Sequence, residues 1–209
     1  MLISGGGTNL QAIIDAIADG RINAAIAAVI SNREEAGGLQ RARAAGIATH
    51  FIDPRRSNDR VEYDRQLIDC IDRYAPDLIV LAGYMRILSE EFISHFPGRI
   101  LNIHPSLLPA LKGLHTHRRA LETGLDRHGA SVHFVSNELD SGPVVIQAEA
   151  PVLPTDTETS LAARVLEREH EIYPLAIGWF VDDRLEYAGG RILLDNRPLT
   201  KPVIWNPHD

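Results

Sequence analysis

The chain has 209 residues, 44% apolar and 23% charged, with 21 basic against 28 acidic side chains for a net charge of −7. Such a length suits one domain with its own core, and an ordinary apolar share excludes a disordered or fibrous chain. The acidic balance argues against sequence-independent nucleic-acid binding, the single Cys70 against a disulfide scaffold, and the lack of a long apolar run or basic leader against a membrane span or secretion, so a cytoplasmic setting is expected.

Residues 1–4 read as the end of a strand that enters Gly5-Gly6-Gly7. Thr8 and Gln11 have capping-box spacing, so a helix is expected with Thr8 as its N-cap and Leu10, Ile13, Ile14 and Ile17 on one face. Gly20 supplies its stop. Residues 25–30 are a continuous apolar run, the pattern of a buried parallel strand. Residues 34–45 read as a helix ended by Gly46, residues 49–52 as a short strand, and residues 60–74 as a helix capped by Asn58 or Asp59. A buried strand at 78–82, a short helix at 89–95 and a fifth strand at 100–103 follow. Strands separated by helical segments predict βαβ units, hence an α/β fold with a mostly parallel central sheet and helices on both faces.

The second half changes character. Residues 104–113 form a loop rich in proline and leucine, and 117–124 read as a helix. Strands are expected at 131–135 and 144–150, on either side of the turn Asp140-Ser141-Gly142. Residues 160–179 show a long helical pattern that Pro174 should kink or break. Residues 185–187 and 192–194, joined through Gly189-Gly190, suggest a hairpin. Beyond Asp195, the prolines Pro198, Pro202 and Pro207 predict an irregular surface tail. No repeat or low-complexity linker divides the chain, so a single domain over 1–209 is expected, with halves at 1–100 and 101–195 and a tail at 196–209.

Three places could carry chemistry. Glycines at 5–7 let the backbone approach an anion, and the dipole and N–H groups of the next helix favour negative charge. Leu10 stands where a dinucleotide fingerprint needs its third glycine. Leu10 and Gln11 stand where a phosphate loop needs glycine and lysine. A single phosphate monoester fits this loop, and a plain strand-to-helix turn would use the same glycines. Asn102 and His104 leave the same side of the fifth strand at its carboxyl end, where open parallel sheets bind ligands. An amide donor beside an imidazole suits an oxyanion, and a polar strand end would look the same. Asp140 sits in a turn that needs no function, yet beside His104 its charge would favour the imidazolium. His115 and His117 form an H-x-H without a third ligand at a familiar spacing, which favours structural roles over a metal. Ser106 lacks a nucleophile-elbow context, and Cys70 fits a helix core.

These segments taken together resemble a known family. Gly5-Gly6-Gly7-Thr8-Asn9-Leu10, the run from Leu81 to Leu88, Asn102-Ile103-His104-Pro105-Ser106-Leu107-Leu108-Pro109 and Gly113-Leu114-His115-Thr116-His117 are similar to the phosphoribosylglycinamide formyltransferase family. The stretch from Gly129 to Phe134, continuing to Asp140-Ser141-Gly142-Pro143, resembles that family's second signature. The likeness spans residues 1–180. It implies a Rossmann-like formyltransferase fold and formyl transfer from the co-substrate 10-formyltetrahydrofolate to the amine of glycinamide ribonucleotide in purine synthesis, with no metal. Its partners would be these small molecules, with no nucleic acid or membrane, and the chain would be a monomer or homodimer. By the same resemblance residues 1–100 would hold the ribonucleotide and 101–195 the folate and the catalytic groups. Asn102, His104 and Asp140 would be catalytic. Gly7, Thr8, Asn9 and Glu169 would bind the phosphate and ribose. Arg60, Met85, Arg86, Ile87, Leu88, Asn102 and Asp140 would line the folate site, and His115 and His133 would stand behind the catalytic groups.

The sequence departs from the family in two respects. Members ordinarily carry several more residues ahead of Leu2-Ile3-Ser4-Gly5, so a short first strand is expected. Leu111 takes a position where an aromatic is common. Among rivals, a methionyl-tRNA formyltransferase would add a basic RNA-binding domain, and a formyltetrahydrofolate hydrolase would add a regulatory one. A nucleotide-binding regulatory module would need the glycine that Leu10 replaces.

Overall fold

The computed structural model describes residues 1–206, so Pro207 of the expected tail lies outside the described residues. It forms two compact units, one of Met1–Asn102 and one that begins at Ile103. The first alternates strands and helices: β1 (Leu2–Ile3), α1 (Thr8–Ala18), β2 (Ala28–Ser31), α2 (Gly37–Ala44), β3 (Ala48–Phe51), α3 (Arg60–Asp72), β4 (Ile79–Leu81), α4 (Glu90–His95) and the start of β5 (Ile100–His104), whose last two residues belong to the second unit. All of its strand pairs are parallel, with Leu2 beside Ile30 and Leu81, and Leu81 beside Asn102. Hydrophobic burial drives this arrangement: Leu2, Ile3, Leu10, Ile13, Val29, Leu39, Leu67, Phe92 and Leu101 are almost wholly removed from water. The chain steps from β1 to β3 on one side and from β4 to β5 on the other, so the order reverses between β1 and β4. A reversal of this kind opens a crevice at the strands' carboxyl ends.

The expected capping box at Thr8 does not form. Thr8 is already helical, and Gly7 occupies the N-cap with left-handed φ 75 and no side-chain cap bond. The reason lies in the neighbouring helix. A Cβ on Gly7 would meet the Gly38 Cα at 2.5 Å, and the Gly38 N–H donates to the Gly5 carbonyl at 3.0 Å. The close approach and the φ both require glycine there. Gln11 instead donates to Asp15 at 2.8 Å and accepts from Arg41 at 3.3 Å. The Asp59 expectation holds: its carboxylate accepts the Glu62 N–H at 2.9 Å and starts α3.

The second unit contains α5 (Thr116–Glu122), β6 (Arg127–Phe134), β7 (Val144–Pro151), α6 (Glu158–Val181), β8 (Leu185–Ala188), β9 (Arg191–Leu194), β10 (Arg197–Pro198) and β11 (Val203–Trp205). Strands β6 and β7 are antiparallel. The hairpin of β8 and β9 forms as expected and continues into β10 as a small separate sheet. The larger sheet reads β11-β7-β6-β5-β4-β1-β2-β3, an eight-stranded and mostly parallel sheet.

Two expectations fail in this unit. Pro174 does not break α6, which runs unbroken for 24 residues. A mid-helix proline costs ~3 kcal/mol. Leu161, Val165, Ile172, Tyr173 and Ile177 are buried along one face of the same helix, at roughly 1.5–3 kcal/mol for each large apolar side chain. A capping box of Thr157 and Ser160 also secures the first turn. The tail is likewise not irregular throughout. Val203, Ile204 and Trp205 pair in parallel with Ile146, Gln147 and Ala148, which closes one side of β7. Flanking prolines obscure this strand, although a β-branched and aromatic triplet is the composition a short strand needs.

Candidate active site

The glycine loop sits at the carboxyl end of β1. Gly5–Gly7 is braced from α2, where Arg41 Nε donates to the Gly6 carbonyl at 2.8 Å and the Gly38 N–H holds Gly5. Thr8 is exposed and Asn9 buried at the uncapped first turn of α1. Helix N-termini present N–H donors and positive potential that suit an anion.

In the same unit β4 ends at Leu81, and the chain passes Gly83 to reach Met85, Arg86, Ile87 and Leu88. Met85 is 65% exposed and Ile87 53%, whereas Leu88 is buried. Large apolar side chains left in water in this way mark a contact surface. The Met85 N–H donates to Ser4 Oγ at 2.8 Å, which fixes this segment against β1. Arg60 opens α3 and is exposed. Asn102 lies on β5, two residues before His104, so their side chains leave the same face of the strand.

The second unit gathers a buried acid–base cluster. His104, 6% exposed, ends β5. Its Nδ1 lies 3.4 Å from Asp140 Oδ2, and its Nε2 lies 3.0 Å from the Leu111 carbonyl oxygen. Both neighbours are acceptors, so the ring is held between a carboxylate and a carbonyl oxygen. Asp140 has left-handed φ 48, which points its carboxylate back into the cluster. Its Oδ2 accepts the Gly113 N–H at 2.9 Å, and its Oδ1 lies 3.8 Å from His133 Nε2. His133 is fully buried on β6, and its Nδ1 lies 3.0 Å from the Phe134 carbonyl. Burial holds the His133 pKa below the ordinary histidine value, against the raising effects of the Phe134 carbonyl and the Asp140 charge. Of the residues singled out in the sequence, the structure thus brings His104, Asp140 and His133 together.

The loop that carries His104 is supported by residues the sequence reading missed. Ser131 and Gln147 face each other across β6 and β7. The Ser131 hydroxyl donates to the Ser106 carbonyl at 2.6 Å and accepts from the Leu108 N–H at 3.0 Å and from Gln147 Nε2 at 2.9 Å. Polar side chains inside otherwise apolar strands are the signal that could have found them. Lys112 Nζ donates to Ser141 Oγ at 2.6 Å, which with the Gly113 bond ties the 111–113 loop to the Asp140 turn.

Other expected residues stand apart from this cluster. His115 is the N-cap of α5 with left-handed φ 57, and its side chain is exposed, so the structure does not place it behind the His104–Asp140 pair. The other histidine of the H-x-H packs against a third ring: His117 Nδ1 lies 3.2 Å from His128 Nε2. Burial lowers both of these histidines, His128 to about 4. Among the described residues no group of three or more His, Cys, Asp or Glu is placed to hold a metal. Glu169 is buried on α6 in the second unit. Ser106 is buried with its hydroxyl donating to the Ala110 carbonyl, and Cys70 is buried in α3.

A parallel α/β sheet with a buried imidazole–carboxylate pair at a strand end is the architecture of an α/β enzyme. The formyl transferase family model matches residues 1–177, and this chain belongs to that family. It is 56% identical to the phosphoribosylglycinamide formyltransferase of Escherichia coli (strain K12) over 95% of this chain and 94% of that one. It is 48% identical to the Haemophilus influenzae enzyme of the same name over 99% and 97%. The solved phosphoribosylglycinamide formyltransferase of Coxiella burnetii superposes with TM-score 0.94 at 49% identity, over 98% of this chain and 97% of that one.

Proposed function

We propose that this chain transfers the formyl group of 10-formyltetrahydrofolate to the amine of glycinamide ribonucleotide, a step of purine synthesis. The observation that carries the reading is the His104–Asp140 pair, buried at the end of β5 in a chain whose full-length relatives bear this activity by name. The substrate amine attacks the formyl carbon, and the carbonyl oxygen takes up negative charge. Asn102 and the His104 imidazolium stabilise that charge where it develops. Asp140, 3.4 Å from the His104 ring, accepts the proton the amine loses, directly or through water. The carbon–nitrogen bond to the folate then breaks, its electron pair returns to the folate nitrogen, and the proton follows it. Transfer is complete with no metal in the step.

The site residues suit both substrates. Gly7, Thr8 and Asn9 form the single-phosphate cradle, so the net charge of −7 is no obstacle, because backbone donors hold the anion. Glu169 takes the ribose hydroxyls. Arg60, Met85, Arg86, Ile87 and Leu88 receive the folate: the exposed Met85 and Ile87 suit its flat ring, and the arginines suit its acidic tail. The test is a formyl-transfer assay with both substrates, run in parallel without the amine. Formylation of the amine is expected, with little folate deformylated in its absence. Equal deformylation with and without the amine would assign a hydrolase instead.

A further inference from the structure

Arg86 is held unusually for a surface arginine. Its guanidinium carbon lies 4.5 Å from the centre of the Tyr63 ring, its Nε is buried without a hydrogen-bond partner, and it joins none of the ion pairs among the described residues. Asp64, adjacent to Tyr63 and buried, is close enough to feel the Arg86 charge, but its carboxylate accepts the Ser89 N–H at 2.5 Å. The platform beneath Arg86 is itself locked. Tyr63 is fully buried on α3, and the Tyr84 hydroxyl donates to the Tyr63 hydroxyl at 3.3 Å. Burial raises the pKa of both phenols, so the pair stays protonated. An arginine pinned by a ring face and joined to no carboxylate as an ion pair presents a fixed planar guanidinium to an incoming acid.

We infer that Tyr63 is a positioning residue for folate recognition: its ring, fixed by the Tyr84 hydroxyl, holds Arg86 as a pre-aimed cation for the tail carboxylate of the formyl-folate. The inference rests on the formyl-folate reading above. It goes further in assigning the selection for an acidic tail to a buried tyrosine that never touches the ligand. Neither tyrosine stands out in the sequence, where Tyr63 reads as an ordinary core position of a helix.

The test compares 10-formyltetrahydrofolate with an analogue whose tail carboxylates are amides, using the full chain and glycinamide ribonucleotide. Tyr63→Leu removes the π face and is expected to cut the acid-over-amide preference about 3- to 30-fold, the range of a partly desolvated cation–π contact. That loss should fall on the KM of the acid and leave the KM of the amide in place. Tyr63→Phe keeps the ring but loses the hydroxyl latch, and a smaller loss of preference is expected. A drop in kcat with both compounds, or equal KM changes for both, would overturn the inference and make Tyr63 merely structural. If Tyr63→Leu does not fold, as read by its melting curve, Tyr84→Phe carries the test, since it removes the hydroxyl that latches the Tyr63 ring and leaves Arg86 in place. It must lower the acid-over-amide preference, and an unchanged preference overturns the inference. An unmodified chain that transfers no formyl group from either compound would instead defeat the formyl-folate reading itself.

Discussion

Asp140 is the residue on which the cluster turns. It faces His104 and His133 and accepts the Gly113 N–H, so Asp140→Asn removes a charge while keeping the shape. A loss of about 10²–10⁴ in kcat is expected with the melting temperature nearly held, read by steady-state kinetics and thermal denaturation. A fall in kcat matched by collapse of the fold would make Asp140 structural. His128 gives a pH prediction. Its folded pKa, about 4, lies below the ordinary 6.5, so the unfolded chain binds the extra proton in between. Its stabilising contribution is therefore complete above pH 6.5 and is lost as pH falls toward 4. Melting curves across that window should decline less steeply for His128→Gln than for the unaltered chain, and parallel slopes would refute this. Residue chemistry was partly legible in the sequence. Strand alternation alone places Asn102 and His104 on one face. The Asp140 and His133 contacts depend on a left-handed turn and on the β6 register, which no local pattern reveals. The pairing of His117 with His128 rather than with His115 is likewise a product of tertiary packing.

Elements position these residues through a few close backbone approaches. Gly7 is one, with its left-handed φ and the Gly38 Cα where a side chain would go. Gly7→Ala should weaken glycinamide ribonucleotide binding, raising its KM more than that of the folate, and equal KM values for variant and parent would separate the loop from phosphate binding. Gly142 is another, since a Cβ there would lie far inside contact distance of the Phe134 carbonyl. Gly142→Ala should therefore displace the Asp140 turn and lower the melting temperature. Element existence was largely readable from hydrophobic period, from β1 through the β8–β9 hairpin. What failed were rules that weigh one residue without its surroundings. Thr8 lost the cap to a glycine that packing required, and Pro174 was carried by the buried face of α6. The β11 strand forms because β7 offers it an edge, a partner invisible in the tail's own sequence.

At the scale of the molecule, the mostly parallel sheet and the family membership agree with the α/β reading of the alternating pattern. The acidic net charge separates two kinds of phosphate binding. A protein that grips a nucleic acid needs many cations, whereas one phosphate at an uncapped helix start needs backbone donors. The proposed formyl transfer to an amine turns on His104, paired with Asp140. It is tested most directly by following formylation of glycinamide ribonucleotide in a single turnover with the unaltered chain and with His104→Ala. A rate lower by at least about 10²-fold is expected for the variant, with 10-formyltetrahydrofolate still bound. Equal single-turnover rates for the two proteins would contradict it.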